Sequence, residues 1–144
     1  MKLRFQSSID VNFTEQLSDL LYFNLNQVKY KEHIIDAINS YGTPVIKEKG
    51  NNITLKLEDD IETHTLFLIG SEDSKDFLLG VAVFFKKNDN EAILLHIAVN
   101  HTLIDSTFLT LQLIIEVKNY LKNIAGIRKL SLFYSDRITS LRIG

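Results

Sequence analysis

The sequence predicts an α+β (mixed α/β) domain with a mostly antiparallel central sheet flanked by helices, and three observations predict it. Two apolar strands run back to back, Phe77–Phe85 and Ala92–Val99, joined by the polar turn Lys86–Glu91. A long helix follows at once, from about Ser106 to Asn123. It is apolar almost all round except for a narrow stripe of Gln112, Glu116, Asn119 and Asn123, so it must lie against a sheet. Helical spacing early in the chain and period-two alternation on either side complete the order: strand, helix, helix, several antiparallel strands, helix, strand.

Leu3 and Phe5 alternate with polar neighbours over Lys2–Ser7, which reads as a short edge strand. Asn12 suits a helix N-cap with Glu15 reaching back, and Phe13, Leu17, Leu20 and Leu21 supply an apolar stripe up to about Leu25. A second helix is expected from about Lys29–Lys31, carrying Ile34, Ile35, Ile38 and Tyr41, and stopped by Gly42 and Pro44. Beyond Pro44, Val45–Lys49 and Ile53–Leu57 form a hairpin around Gly50-Asn51-Asn52. An acidic stretch, Glu58–Asp60 with Glu62, leads to the strand Thr65–Ile69, and Gly70–Asp76 is a polar turn. After the long helix Gly126 stops it, Arg128–Tyr134 gives a further strand, and the tail from Asp136 is too short for another helix and strand.

With 144 residues, 45% of them hydrophobic, the chain fits one domain, 1–144, with a real core. Its net charge of −2 and scattered Lys and Arg give no concentrated field for phosphate backbones, so no nucleic-acid partner is expected. There is no cysteine, which excludes disulfides, thiolate metal sites and a cysteine nucleophile. Met1–Gln6 lacks the pattern of a signal peptide, and polar residues break every apolar tract short of a membrane span. A cytoplasmic protein with no membrane partner is the expectation.

Two local texts resemble the GNAT superfamily of acyl-CoA-dependent N-acyltransferases. Leu66–Ile69, a polar turn and Leu79-Gly80 leading into Val81–Val83 are similar to that family's consecutive central strands. Leu94–Val99, the long helix and Gly126–Leu132 are similar to its cofactor strand, cofactor helix and next strand. The resemblance implies a GNAT-like fold, acetyl-CoA or another acyl-CoA as cofactor, and a small-molecule or peptide amine as acceptor. Ile97, Ala98 and Val99 would then line the cofactor through the strand, and Ser106 and Thr107 would offer hydroxyls and first-turn amides to a phosphate. The family places a carboxylate early on that strand as general base. Ile93 occupies the matching position, leaving Glu91, two residues earlier on the same face, as the candidate base, with His96 as a second.

The cofactor loop departs from the family. Where the family carries an Arg or Gln and closely spaced glycines, this chain has Ile104, Asp105, Thr107 and Leu109, with no Gly between Gly80 and Gly126. Side chains crowd the approach that glycine permits, and the Asp105 carboxylate repels a diphosphate. Asp105 or Ser106 can equally serve as an ordinary helix cap. Tyr134, on a strand, does not stand in for the family's acid Tyr. Asn100-His101-Thr102-Leu103-Ile104-Asp105 also resembles the His-His-x-x-x-Asp-Gly text of the chloramphenicol acetyltransferase group, but Asn100 replaces its first His and Ser106 its Gly.

His33, His64, His96 and His101 have no metal-ligand spacing, so no metal is expected. His96 in an apolar strand equally suits a core role. The apolar face of the first helix, Phe13–Leu25, exceeds what one sheet face covers and is expected to contribute to a homodimer. Two functions therefore stand side by side: a divergent GNAT-like N-acyltransferase, or a non-catalytic binding or regulatory module that has lost the cofactor loop.

Overall fold

The computed structural model describes residues 1–23, 44–57, 62–100, 102, 104–124, 126–132 and 139–143. Its strands are β1 Lys2–Gln6, β2 Ile9–Asp10, β3 Val45–Lys49, β4 Asn52–Lys56, β5 Thr63–Glu72, β6 Lys75–Lys86, β7 Glu91–Val99, β8 Lys129–Leu132 and β9 Thr139–Arg142. The α-helices among these residues are α1 Thr14–Phe23 and α2 Ser106–Lys122. A six-stranded sheet has the order β1-β5-β6-β7-β8-β9, and a separate three-stranded sheet the order β2-β4-β3.

Alternation sends successive side chains of the central strands to opposite faces, and both faces are apolar. Phe67, Ile69, Val81, Val83 and Ala98 pack with Leu17, Leu20 and Leu21 of α1 and with Ile53 and Leu55 of β4. Leu66, Leu68, Ala82, Phe84, Leu94 and Val99 pack with Leu109, Leu113 and Val117 of α2. The six-stranded sheet is thus a middle layer, with α1 and the small sheet on one side and α2 on the other. Thr65 Oγ1 donates 3.1 Å to the Leu55 carbonyl and ties the two sheets together in the interior. Phe67 and Phe84, one on each face, have 0% exposure; truncating either to Ala would cost about 3–5 kcal/mol.

Two bulges interrupt the alternation. Between β5 and β6 the register shifts at Leu68/Ile69, so Leu79 is the extra residue and Leu79 and Gly80 both turn toward α2. The Gln16 side chain of α1 accepts from the Leu78 amide at 3.0 Å, supplying a partner at that break. Between β6 and β7 the register shifts at Val83/Phe84, leaving Leu95 unpaired and setting His96 opposite Val83. At Gly80 a Cβ would meet Leu113 Cδ1 at 2.8 Å and the Ala98 carbonyl oxygen at 3.2 Å, so the bare backbone leaves room for the Leu113 side chain of α2.

These strands correct the expected fold class. The GNAT-like arrangement of a mostly antiparallel central sheet flanked by helices is overturned: strand predominates, the large sheet is mixed because β7 and β8 run parallel, and the described residues hold two α-helices. The cause lies in stretches read as loops. Gly70–Asp76 is mostly strand, and β5 and β6 meet across the two residues Asp73 (φ 51°) and Ser74 (φ 64°), the left-handed pair of a tight hairpin. The tail contributes β9, paired antiparallel to β8, and β3–β4 joins β2 in a sheet of its own rather than extending a single sheet. The helix cap also moves. Asp10, not Asn12, is the capping residue: its Oδ1 accepts from the Asn12 amide at 2.8 Å, starting a 3₁₀ turn, Val11–Phe13, that runs into α1. The expected second helix, the acidic stretch 58–60, His33, His101 and Tyr134 lie outside the described residues.

Candidate functional site

The junction of β7 with α2 gathers most of the residues that the sequence singles out. Ile97 and Val99 point to the α2 face and pack in its core, while Ala98 points to the α1 face; all three are buried. Ser106 and Thr107 open the first turn of α2, Ser106 half-buried and Thr107 exposed. Asp105 is the cap: its Oδ1 accepts from the Phe108 amide at 3.0 Å and its carbonyl from the Leu109 amide at 3.2 Å. Asn100 organises the preceding loop, its Oδ1 accepting from the Thr102 amide at 3.0 Å and hydroxyl at 2.6 Å. The Asn100 amide donates 2.7 Å to the carbonyl of Leu79, so the loop starts from the bulge of β6. The amides of Thr102 and Phe108 serve this loop's own side-chain acceptors.

The two candidate bases do not join them. Glu91 is the first residue of β7 and Val99 the last, which at about 3.3 Å per residue separates them by roughly 26 Å. Glu91 is held by its neighbours: Ser131 Oγ donates 2.6 Å to Oε1, with Lys87 Nζ 3.9 Å from Oε2 and Lys129 Nζ 4.0 Å from Oε1. The Ser131 hydrogen bond, with the two lysines, keeps the Glu91 carboxyl below its ordinary range. A general base near neutrality needs the opposite shift.

His96 is largely buried and, through the Leu95 bulge, lies on the α1 side of the sheet opposite Val83, away from α2. Burial pushes its imidazole down to about 4. That neutral ring suits a core residue. Of the expected wet stripe, Asn119 and Asn123 are exposed and Gln112 and Glu116 half-buried. The outward side of α2 also carries Phe108 (44% exposed), Leu111 (52%) and Ile115 (50%). The apolar face of α1 is the covered one, with Leu17, Leu20 and Leu21 buried in the core.

A second polar cluster was not legible in the sequence. His64 on β5 stacks on Phe84 (centroids 5.6 Å apart), and its Nδ1 lies 3.0 Å from the Tyr120 hydroxyl of α2, a hydrogen bond whose donor follows the imidazole tautomer. Tyr120 meets Phe84 edge-on at 5.3 Å, and Glu62 Oε1 is 4.0 Å from His64 Nε2. His64 and Tyr120 stand 56 positions apart, and only the pairing of β5 with β6 under α2 unites them.

Among the described residues no group of three or more His, Asp or Glu is placed to hold a metal ion, and no helix is long and apolar enough to cross a membrane. Compared with protein-family models and with curated proteins, the sequence has no match.

Proposed function

We propose that this chain is a non-catalytic binding module whose recognition surface is the outward face of α2. The observation that carries the reading is the run of Phe108, Leu111 and Ile115, each about half exposed on a helix whose other side is fully committed to the core. Large apolar side chains aligned along one helix face are the usual anchors of helix-to-partner recognition. Support also comes from the helix start, where Asp105 takes the capping role and sets a negative charge where a diphosphate would sit. The lowered carboxyl of Glu91, at the far end of β7, and the neutral His96, on the face of the sheet away from α2, leave no positioned base beside the helix start. The same reading assigns the module to the cytoplasm, which fractionation of expressing cells would check.

The test is a titration of acetyl-CoA into the purified chain by calorimetry to about millimolar ligand, a range matching weak affinity, together with an acyl-transfer assay on amine acceptors. Neither binding heat nor product is expected, and saturable heat with turnover would overturn the proposal. One observation favours the other reading, binding of an acyl-CoA to an amine-acylating enzyme: the bulge at Leu95 breaks the ladder in the strand that precedes α2, and bulges recur beside ligand sites. Under that reading, Ser106→Ala and Thr107→Ala would weaken the calorimetric signal.

A further inference from the structure

The outward face of α2 is self-complementary in charge as well as apolar. At about 100° per residue, Phe108, Leu111 and Ile115 fall within roughly 60° of one another, and Lys122 falls inside the same arc. Asp105 lies exposed at the N-terminal end of the helix, and Lys122 lies exposed at the C-terminal end, with Lys118 one turn before it. A second α2 laid parallel on this face would set like charge against like. Laid antiparallel, it sets each Lys122 against the opposite Asp105, and the two helix dipoles oppose as well.

We propose, resting on the binding-module reading above, that the occupant of this face is a second copy of the chain, docked α2 against α2 in antiparallel. Leu111 and Ile115 of each copy pack around the twofold axis. Phe108 lies over the aliphatic stem of the partner's Lys118, and Lys122 reaches the partner's Asp105. Asp105 retains an oxygen for this contact because its cap uses Oδ1. The patch rests on three half-exposed apolar side chains, less than the roughly 800 Å² per partner of a standard interface. Self-association is therefore expected to be weak, with a dissociation constant on the order of 10–100 μM.

The chain contains no cysteine, so single-cysteine variants report on this face alone. Sedimentation velocity over a concentration series is expected to show a monomer–dimer equilibrium. Leu111→Asp and Lys122→Glu should each weaken it at least tenfold, and salt should weaken the wild type but not Lys122→Glu. The Ile115→Cys thiol should react freely with a maleimide in dilute protein and be joined to its twin by a short bis-maleimide in concentrated protein. A reactive thiol with a monomer at every concentration overturns the self-pairing and leaves the face open to a different protein. An unreactive thiol in dilute, folded protein means the chain covers its own helix, which overturns the recognition surface itself.

Discussion

Ser131 Oγ donates a 2.6 Å hydrogen bond to Glu91 Oε1, joining the first residue of β7 to β8 across a parallel strand pair. Parallel pairs lack the tight hairpin that sets antiparallel register, so a side-chain staple has more to contribute here. Its charge state follows directly. The Glu91 carboxyl is held below its ordinary value of 4.5, so the stabilisation is complete above that value and is lost as pH falls through the folded one. Glu91→Gln is expected to lower stability by about 1 kcal/mol at neutral pH, and to make the loss of stability below about pH 4.5 shallower than in the wild type. Urea denaturation from pH 3 to 7 would read both, and an undiminished acid slope would show that Glu91 is not the group responsible.

His96 gives a separate signature at milder acidity. Its imidazole, lowered from 6.5 to about 4, stays neutral in the fold while the unfolded chain takes up a proton. Stability is thus fully present above pH 6.5, declines as pH falls toward about 4, and levels off below. The gap corresponds to on the order of 3 kcal/mol at full effect. His96→Gln is expected to flatten the curve between pH 7 and 5. A wild-type midpoint in denaturant that stays constant across that interval would contradict the burial described for this ring.

Gly126 closes the turn between α2 and β8 with φ 93°, and a Cβ there would meet the Asp89 carbonyl oxygen at 2.8 Å. Both the left-handed backbone and the fixed neighbour forbid a side chain. Gly126→Ala is expected to cost about 1–3 kcal/mol, whereas Gly50→Ala, also at positive φ (63°) but in open space, should cost less. Thermal melts of the two variants side by side would separate the steric part from the backbone part, and equal losses would refute the clash.

The Tyr120–His64 contact clips α2 to β5. Tyr120→Phe keeps the edge-on packing against Phe84 and removes only the hydroxyl, so a loss of about 1 kcal/mol is expected. His64→Phe should cost a similar amount, and the double variant no more than the larger single one. Fully additive losses in such a double-mutant cycle would show that the pair does not act as a unit.

Most individual strands were legible because β1, β4, β6 and β7 announce themselves by alternation or unbroken apolar runs. The long helix α2 was legible to within a residue at each end, since Asp105 and Gly126 punctuate it. What failed was read from polar composition. Asp73 and Ser74 form a two-residue turn inside a text that looked like a seven-residue loop. Nor does local sequence reveal that Thr139–Arg142 finds β8, because edge pairing depends on what lies nearby in space. For α2, an almost fully apolar helix leaves its orientation open: the polar stripe marked only part of the outward side, and Phe108, Leu111 and Ile115 make up the rest. Strand position alone says nothing of bulges, and the one at Leu95 turns His96 to the face of the sheet away from α2.

That same extra residue governs where the chain can tolerate editing. Removing Leu95 would take out the bulge and leave His96 and Ala98 facing α1 and Ile97 and Val99 facing α2, whereas removing the paired Ile97 would turn Ala98 and Val99 to the opposite sides. Lengthening the connection around Thr102 leaves that phase untouched. A tag or reporter belongs in that connection, and a one-residue deletion at Ile97, unlike one at the bulge, would scramble the interior at the end of the strand while altering the composition hardly at all.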